Sequence, residues 1–548
     1  MKNLTPMQAA YWTGRQANGF LGNVSAHLYV EFDCGSIDPQ RLGEAIPKLY
    51  ETHGMMRMRV TPDGRQDIGK AEESLSYEVE DLRELEAGSL ERHLERKRQE
   101  WTCRTLDLEA GQTSAFGLSL LPGGTCRLHV DMDMTAIDPP SFCLLMEDLA
   151  RFYNTPEIDA EEAETGFFDW LERKNSDAEL ARKQQEDKGW WQSRLADLPP
   201  EPKLPAIATS GEVRSGRLAA MLTSVERRSL ELAARDLRVT PSALMLGLFA
   251  SVIAKATGDE RFRLNVPMFW RAPYTPDVER TVGDFSNILI LAVAPPPDES
   301  LRSLCKSLAE QMVDLLAHSA YPGVNVMRDL SRTRRSLQTA PIVFTSGLDL
   351  PGGDLFSQRV TRVFGPMTWA VSQGPQVALD AQVAHMDGGI LINWDIRYDA
   401  LPETWIKAAF DSYVALVREI AADPTALERP AFSSRTPAYA AENHKSPTEG
   451  MLKELLGRLA PGMATHATGK IRDLGLSEDD LSSFIAFINR YIPAAALSLD
   501  DMGPASTAGS IAGLLKARSG GASEKVGRAY LEAVNARKRA SLDAQPAE

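Results

Sequence analysis

"CRLHVDMDMTAIDPPSFCLLMEDLARFYN", residues 126–154, is the stretch on which the fold turns. Cys126 to Met134 reads as a strand, and "SFCLLMEDLARFYN" carries apolar residues at helical spacing. Pro139 and Pro140 mark the turn between them. A strand running straight into an amphipathic helix is the unit of an α/β layered domain. The junction also holds reactive groups. Asp133 and Asp138 sit five positions apart, and Ser141 follows three later. Ser141 is placed to cap the helix that follows. The two carboxylates are either catalytic or structural, and a strand-end carboxylate such as Asp133 can equally cap the loop.

The same unit recurs on either side. "LYVEFDC" (28–34) alternates as a strand, and Asp38 with Pro39 starts a helix through "QRLGEAIPKLYETHG". "MMRMRV" (55–60) is a strand leading into the turn "TPDGRQ". A charged helical stretch from 167 ends in the Pro-rich "ADLPPEPKLPA" (196–206), a bridge. Beyond it, "TPSALMLGLFASVIAKATGD" (240–259) is an apolar helix capped by Thr240. "RFRLNVPMFW", "APIVFTSGL" and "PQVALDAQVAHMDGGILINWDIRYD" supply strands, with a hairpin turn in "HMDGGI". The expected division is a first lobe over 1–175, a bridge over 176–210 and a second lobe over 211–428. A Pro- and Ser-rich linker over 429–449, a small helical domain over 450–520 and a tail over 521–548 follow. Two α/β lobes of similar size predict a site between them.

Composition narrows the function. A chain of 548 residues exceeds one core, and a net charge of -15 argues against nucleic acid or an anionic membrane as the main partner. The N-terminus has no apolar run of a signal peptide, and no stretch has the apolar length to span a bilayer. Five scattered cysteines never form CxxC, so free thiols in the cytoplasm are expected, with Cys143 near the motif a small buried apolar residue. No zinc spacing, phosphate loop or Ser-His-Asp spacing occurs, so no metal site is expected. His27, His53 and His129 are expected to be packed in place.

Seven stretches in order carry a family resemblance. They are "LTPMQAAYWTGRQ", "AHLYVEFD", "DMTAIDPPS", "TPSALMLGLFASVIA", "RFRLNVPMFWRAPYTPDVERTVGDFSNILIL", "PIVFTSGL" and "VSQGPQVALDAQVAHMDGGILINWD". Over about four-fifths of its length the chain resembles the heterocyclization domains of nonribosomal peptide synthetases. These are similar to condensation domains but carry DxxxxDxxS, here Asp133, Asp138 and Ser141. The resemblance implies two chloramphenicol-acetyltransferase-like lobes in a V-shaped pseudo-dimer. It implies a tunnel reached by substrates on the phosphopantetheine arms of carrier proteins, which act in trans, with no cofactor bound by the domain itself. The implied reaction joins an acyl thioester to the amine of a carrier-bound Cys, Ser or Thr. The side chain then closes on the amide with loss of water, giving a thiazoline or oxazoline of natural-product, including siderophore, biosynthesis. The rivals are a catalyst that stops at the amide and a silent scaffold that docks carriers.

The family pattern points to Thr345 and Asp380 for cyclodehydration. Asp380 lies in an apolar stretch, where a carboxylate is costly without a purpose. Strand alternation puts Val377, Leu379 and Ala381 on one face and Ala378, Asp380 and Gln382 on the other, so Gln382 can orient Asp380 or the substrate carbonyl. In the related condensation domains the second motif aspartate pairs with an arginine, which here is Arg57 or Arg271. Trp270, Thr275 and Ala381 replace the family's Asn, His and His and are expected to alter the tunnel wall. The C-terminal helices resemble a degenerate carrier domain. Ser477 stands near the phosphopantetheine position, but "LGLSEDDL" departs from the carrier motif and reads by default as a helix cap.

Overall fold

The structure, a computed structural model, describes residues 1–16, 21–70, 74–161, 166–205, 213–295, 299–349 and 353–432. Toward the C-terminus it describes 448, 451–452, 455–456, 471, 477–502, 506, 508–519 and 522–530. Most of the predicted linker 429–449, the end of the bridge at 206–210 and the tail beyond 530 lie outside the described residues, as does most of 450–476, the start of the predicted helical domain. The chain divides into two compact units, Met1–Ser433 and Ser434–Glu548.

In chain order the strands are β1 (Lys2–Asn3), β2 (His27–Cys34), β3 (Met58–Val60), β4 (Arg65–Ile68), β5 (Tyr77–Asp81), β6 (Ser114–Leu120) and β7 (Cys126–Asp133). Then follow β8 (Ser215–Leu222), β9 (Phe262–Phe269), β10 (Ser286–Val293), β11 (Ile342–Ser346), β12 (Met367–Gln373), β13 (Leu379–Met386) and β14 (Gly389–Arg397). The first lobe is the sheet β12-β2-β7-β6-β5, antiparallel except for the β5–β6 pair. Helices Pro39–Thr52 and Pro139–Asn154 bury Leu42, Ile46, Leu49, Leu145 and Leu149 in its core. The second lobe is the mixed sheet β10-β9-β11-β13-β14-β8. Helix Pro241–Thr257, capped by the Thr240 hydroxyl accepting from the Ala243 amide, runs through its core. There Phe249 meets Trp394 and Tyr413 edge-on at 5.5 and 5.7 Å.

Two turns fix the site's frame. Asp387 and Gly388 both have positive φ, 50° and 72°, the pair a two-residue type I′ hairpin needs between β13 and β14. The other turn was not legible in the sequence. β12 belongs by position to the second lobe but pairs with β2 of the first, Ala370 opposite Val30. The β2 edge would otherwise present unpaired amides and carbonyls, and the crossing strand satisfies them. Gly365 permits the crossing: its φ is +76°, and a Cβ there would stand 1.9 Å from the Asp33 carbonyl oxygen. The two lobes therefore share a strand rather than merely abut.

The C-terminal unit has its own core, in which Phe484 and Ile488 of helix Glu478–Tyr491 meet Ile511 and Leu515 of helix Ala508–Ser519. No single helix among the described residues is long and apolar enough to cross a membrane.

Candidate active site

The DxxxxDxxS residues are buried away from the central cavity. Asp133 ends β7, where Arg15 of helix Pro6–Gln16 donates to its Oδ2 at 3.0 Å and the Thr135 amide to its Oδ1 at 2.9 Å. The Arg15 guanidinium also donates to Ser25 and to the Leu106 carbonyl. Asp138, not Ser141, is the N-cap of helix Pro139–Asn154: its Oδ1 accepts from the Ser141 amide at 2.8 Å. The cap moves three residues earlier because Pro139 and Pro140 already occupy the first helical turn.

Of the two candidate arginines, Arg271 holds Asp138, at 3.1 Å, and also donates to the Ser141 hydroxyl at 2.9 Å. Arg57 belongs to the 3₁₀ turn Gly54–Arg57. The Ser141 hydroxyl donates to the Gly283 carbonyl and accepts from its amide, and the Phe285 amide donates to Asp138. Gly283 has no side chain because a Cβ would lie 2.3 Å from the Phe167 ring. Burial raises the proton affinity of both Asp133 and Asp138, and Arg15 and Arg271 oppose it. Their geometry is that of two latches. One ties β7 to the N-terminal helix, the other ties helix Pro139–Asn154 to the approach to β10.

The cavity itself measures about 610 Å³ and draws its wall from both sheets. The first lobe contributes Tyr11, Val30, Pro139 and Phe142 to the lining, and the second contributes Thr345, Asp380, Gln382 and Asn393. β11 and β13 run parallel with Thr345 opposite Gln382, which brings Thr345 beside Asp380. The Thr345 hydroxyl donates to Asp380 Oδ1 at 3.1 Å, and Gln382 Nε2 donates to Asp380 Oδ2 at 2.9 Å. Burial raises the Asp380 carboxyl to about 6, against the pull of Gln382, Ser372 and Thr345. It is thus mostly ionised near neutrality, yet close enough to its midpoint to hand a proton back. Burial also holds the Tyr11 phenol well above its ordinary range, with Asp284 and Asp380 adding to the effect, so it faces the cavity as a neutral donor.

Trp270, Thr275 and Ala381 do not line this cavity, contrary to the expectation from sequence. Pro267 and Phe269 of β9 face it, so alternation turns Trp270 away, and it is 64% exposed. Ala381 alternates with Asp380 and Gln382 and is packed in the core, while Thr275 is buried in the loop after β9. Cys143 reaches the wall, its thiol pushed up to about 12 by burial and so unreactive as a nucleophile. Among the described residues no group of three or more His, Cys, Asp or Glu could hold a metal ion. In the C-terminal unit Ser477 is an N-cap, its hydroxyl donating to Asp480 and accepting from that residue's amide.

Sequence reasoning missed Arg15, Tyr11 and Asp395. Tyr11 and Arg15 stand four apart on one helix, and Asn393 and Asp395 stand two apart on β14. Both spacings put the pair on one face, a signal present in the sequence.

Residues 1–433 match the Condensation domain family. The chain is 40% identical over 474 residues to phenyloxazoline synthase MbtB of Mycolicibacterium paratuberculosis, spanning 84% of this chain and 39% of that protein. It is 34% identical over 421 residues to pyochelin synthetase PchE of Pseudomonas aeruginosa, spanning 76% of this chain and 29% of that one. The EpoB nonribosomal peptide synthetase cyclization-docking bidomain from Sorangium cellulosum superposes with a TM-score of 0.68 at 27% identity, covering 76% of this chain and 85% of that one. The chain therefore spans well under half the length of the two synthetases.

Proposed function

The chain belongs to the condensation-domain family, and from that membership and the cavity wall we propose that it is a heterocyclization catalyst of nonribosomal peptide synthesis. The observation that carries this reading is the hydrogen-bonded pair of Thr345 and Asp380 on the cavity wall. The names of relatives, a phenyloxazoline synthase and a pyochelin synthetase, and the cyclization bidomain among solved structures support it. The substrates are an acyl thioester and a Cys, Ser or Thr thioester, each on the phosphopantetheine arm of a carrier protein supplied by another subunit in the cytoplasm.

Amide formation needs little beyond proximity. The amine attacks the thioester, the C–N bond forms, the C–S bond breaks, and the amine proton leaves with the carrier thiol. Ring closure needs proton transfer in both directions. As the side-chain thiol or hydroxyl adds to the amide carbon, the Asp380 carboxylate takes its proton and returns it to the former carbonyl oxygen. Asp380 then takes the N–H proton as the C=N bond forms, and gives it to the departing hydroxyl, which leaves as water. The carboxylate ends ionised as it began. Thr345 orients the carboxylate through Oδ1, and Gln382 does so through Oδ2. The neutral Tyr11 phenol lines the same cavity.

Asp380→Asn tests the reading, because it keeps the shape and removes the base. With a donor acyl-carrier and a Cys-loaded carrier, ring formation is expected to fall by about 10²-fold or more while amide formation persists. Equal loss of both products would remove Asp380 from the ring-closing step.

A further inference from the structure

Behind Asp380 the sheet places a second carboxylate that the chemistry above does not use. Asp380, Asp395 and Arg217 form one cross-strand row over β13, β14 and β8, each directly opposite the next in register. Gln382 Nε2 bridges the two carboxylates, 2.9 Å from Asp380 Oδ2 and 2.9 Å from Asp395 Oδ2. Asp395 Oδ2 also accepts from the Ser372 amide at 2.7 Å and from Asn393 Nδ2 at 3.2 Å. Asn393 in turn donates to Gln382 Oε1 at 3.1 Å, which fixes the orientation of the bridging amide. Asp395 is 4% exposed and does not line the cavity, and its Oδ1 is buried without a hydrogen-bond partner among the described residues.

We propose that Asp395 is the positioning residue of the ring-closing site, holding the Asp380 carboxyl through Gln382 and biasing its charge from across the strand pair. This inference rests on the ring-closing role of Asp380 given above. Two carboxylates facing each other across one amide lose their protons in linked steps rather than independently. Burial raises Asp395 to about 7 and Asp380 to about 6, which places both steps near the working range. The other groups facing the row are Arg217 from β8, with Arg98 of helix Ala87–Thr102 near it, and Tyr11 from helix Pro6–Gln16. Arg217 stabilises the ionised Asp395, and its own guanidinium is held by the Ala370 carbonyl at 3.0 Å.

The test compares wild type, Asp395→Asn and Arg217→Gln in the full chain. Two measurements are made: the pH profile of ring closure, and a carbon-13 carboxyl titration of aspartate-labelled protein in which Asp380→Asn identifies the Asp380 signal. Asp395→Asn is expected to turn the stepped Asp380 titration into a single step at lower pH, shifted by about one unit, with the ring-closure profile moving alike. Arg217→Gln is expected to keep Asp395 protonated to higher pH, and so to move the Asp380 step and the ring-closure profile to lower pH as well. A purely structural Asp395 would lower the rate and leave the titration where it was, and that result overturns the proposal. If Asp395→Asn does not fold, an unmoved titration in Arg217→Gln overturns it equally. A wild-type enzyme that yields amide only overturns the ring-closing reading instead, while the carbon-13 titration still decides whether the two carboxyls are coupled.

Discussion

Three acidic residues that look alike in the sequence have separate fates in the structure. Asp133 and Asp138 are each tied to an arginine and to backbone amides and are closed off from the cavity. Asp380 has only neutral partners and faces the cavity. A carboxyl with an arginine and amide donors is fixed as a strut. One held by a hydroxyl and an amide, and buried, keeps a proton affinity useful near neutrality. Ring closure starts from ionised Asp380, so its rate is expected to be flat above neutrality and to fall as pH drops through about 6. A rate profile of ring formation alongside amide formation checks this, because only the first should bend there. Thr345→Val removes the hydroxyl at nearly constant volume and is expected to slow ring closure about tenfold, the worth of one hydrogen bond to a charged group. The period-two pattern of "VALDAQV" already placed Asp380 and Gln382 on one face and Ala381 on the other. Gln382, which holds Asp380 Oδ2, lies on the same strand, but Thr345 comes from β11, distant in sequence, and no local pattern pairs that strand with β13.

At the scale of elements, the strand–turn–helix from Cys126 to Asn154 was legible because period two changes to helical spacing at a Pro-Pro step. The β13–β14 hairpin was legible for an equally local reason, the Asp-Gly turn. The β12 crossover was not. Its pairing with β2 depends on an edge some 340 positions earlier in the chain, Gln373 opposite His27. Gly365→Ala is expected to destabilise the protein by at least about 1 kcal/mol from the positive φ alone, with the clash at Asp33 adding to it. Thermal unfolding against wild type measures this. Arg271→Gln strands the buried Asp138 charge and is expected to cost about 3 to 5 kcal/mol. Amide and ring formation should then fall together with the folded fraction, unlike the selective loss in Asp380→Asn.

For the whole molecule, the family match ends at residue 433, and the compact unit Met1–Ser433 ends there too. A chain stopped at Ser433 is expected to melt at the temperature of the first unit in the full protein, as followed by calorimetry. The two-lobed α/β architecture could be read from alternating strands and helices, whereas the sharing of a strand between lobes could not, since it reverses the order of the chain in space. That sharing puts Val30 and Phe142 on the same cavity as Thr345 and Asp380, which is what a reaction between two tethered substrates requires. A heterocyclization catalyst removes water from the amide that it makes. Intact mass spectrometry of a reconstitution with a donor acyl-carrier and a Cys-loaded carrier measures that loss directly. A carrier-bound product lighter by one water than the amide is expected. The amide alone, accumulating without further change, would contradict this reading.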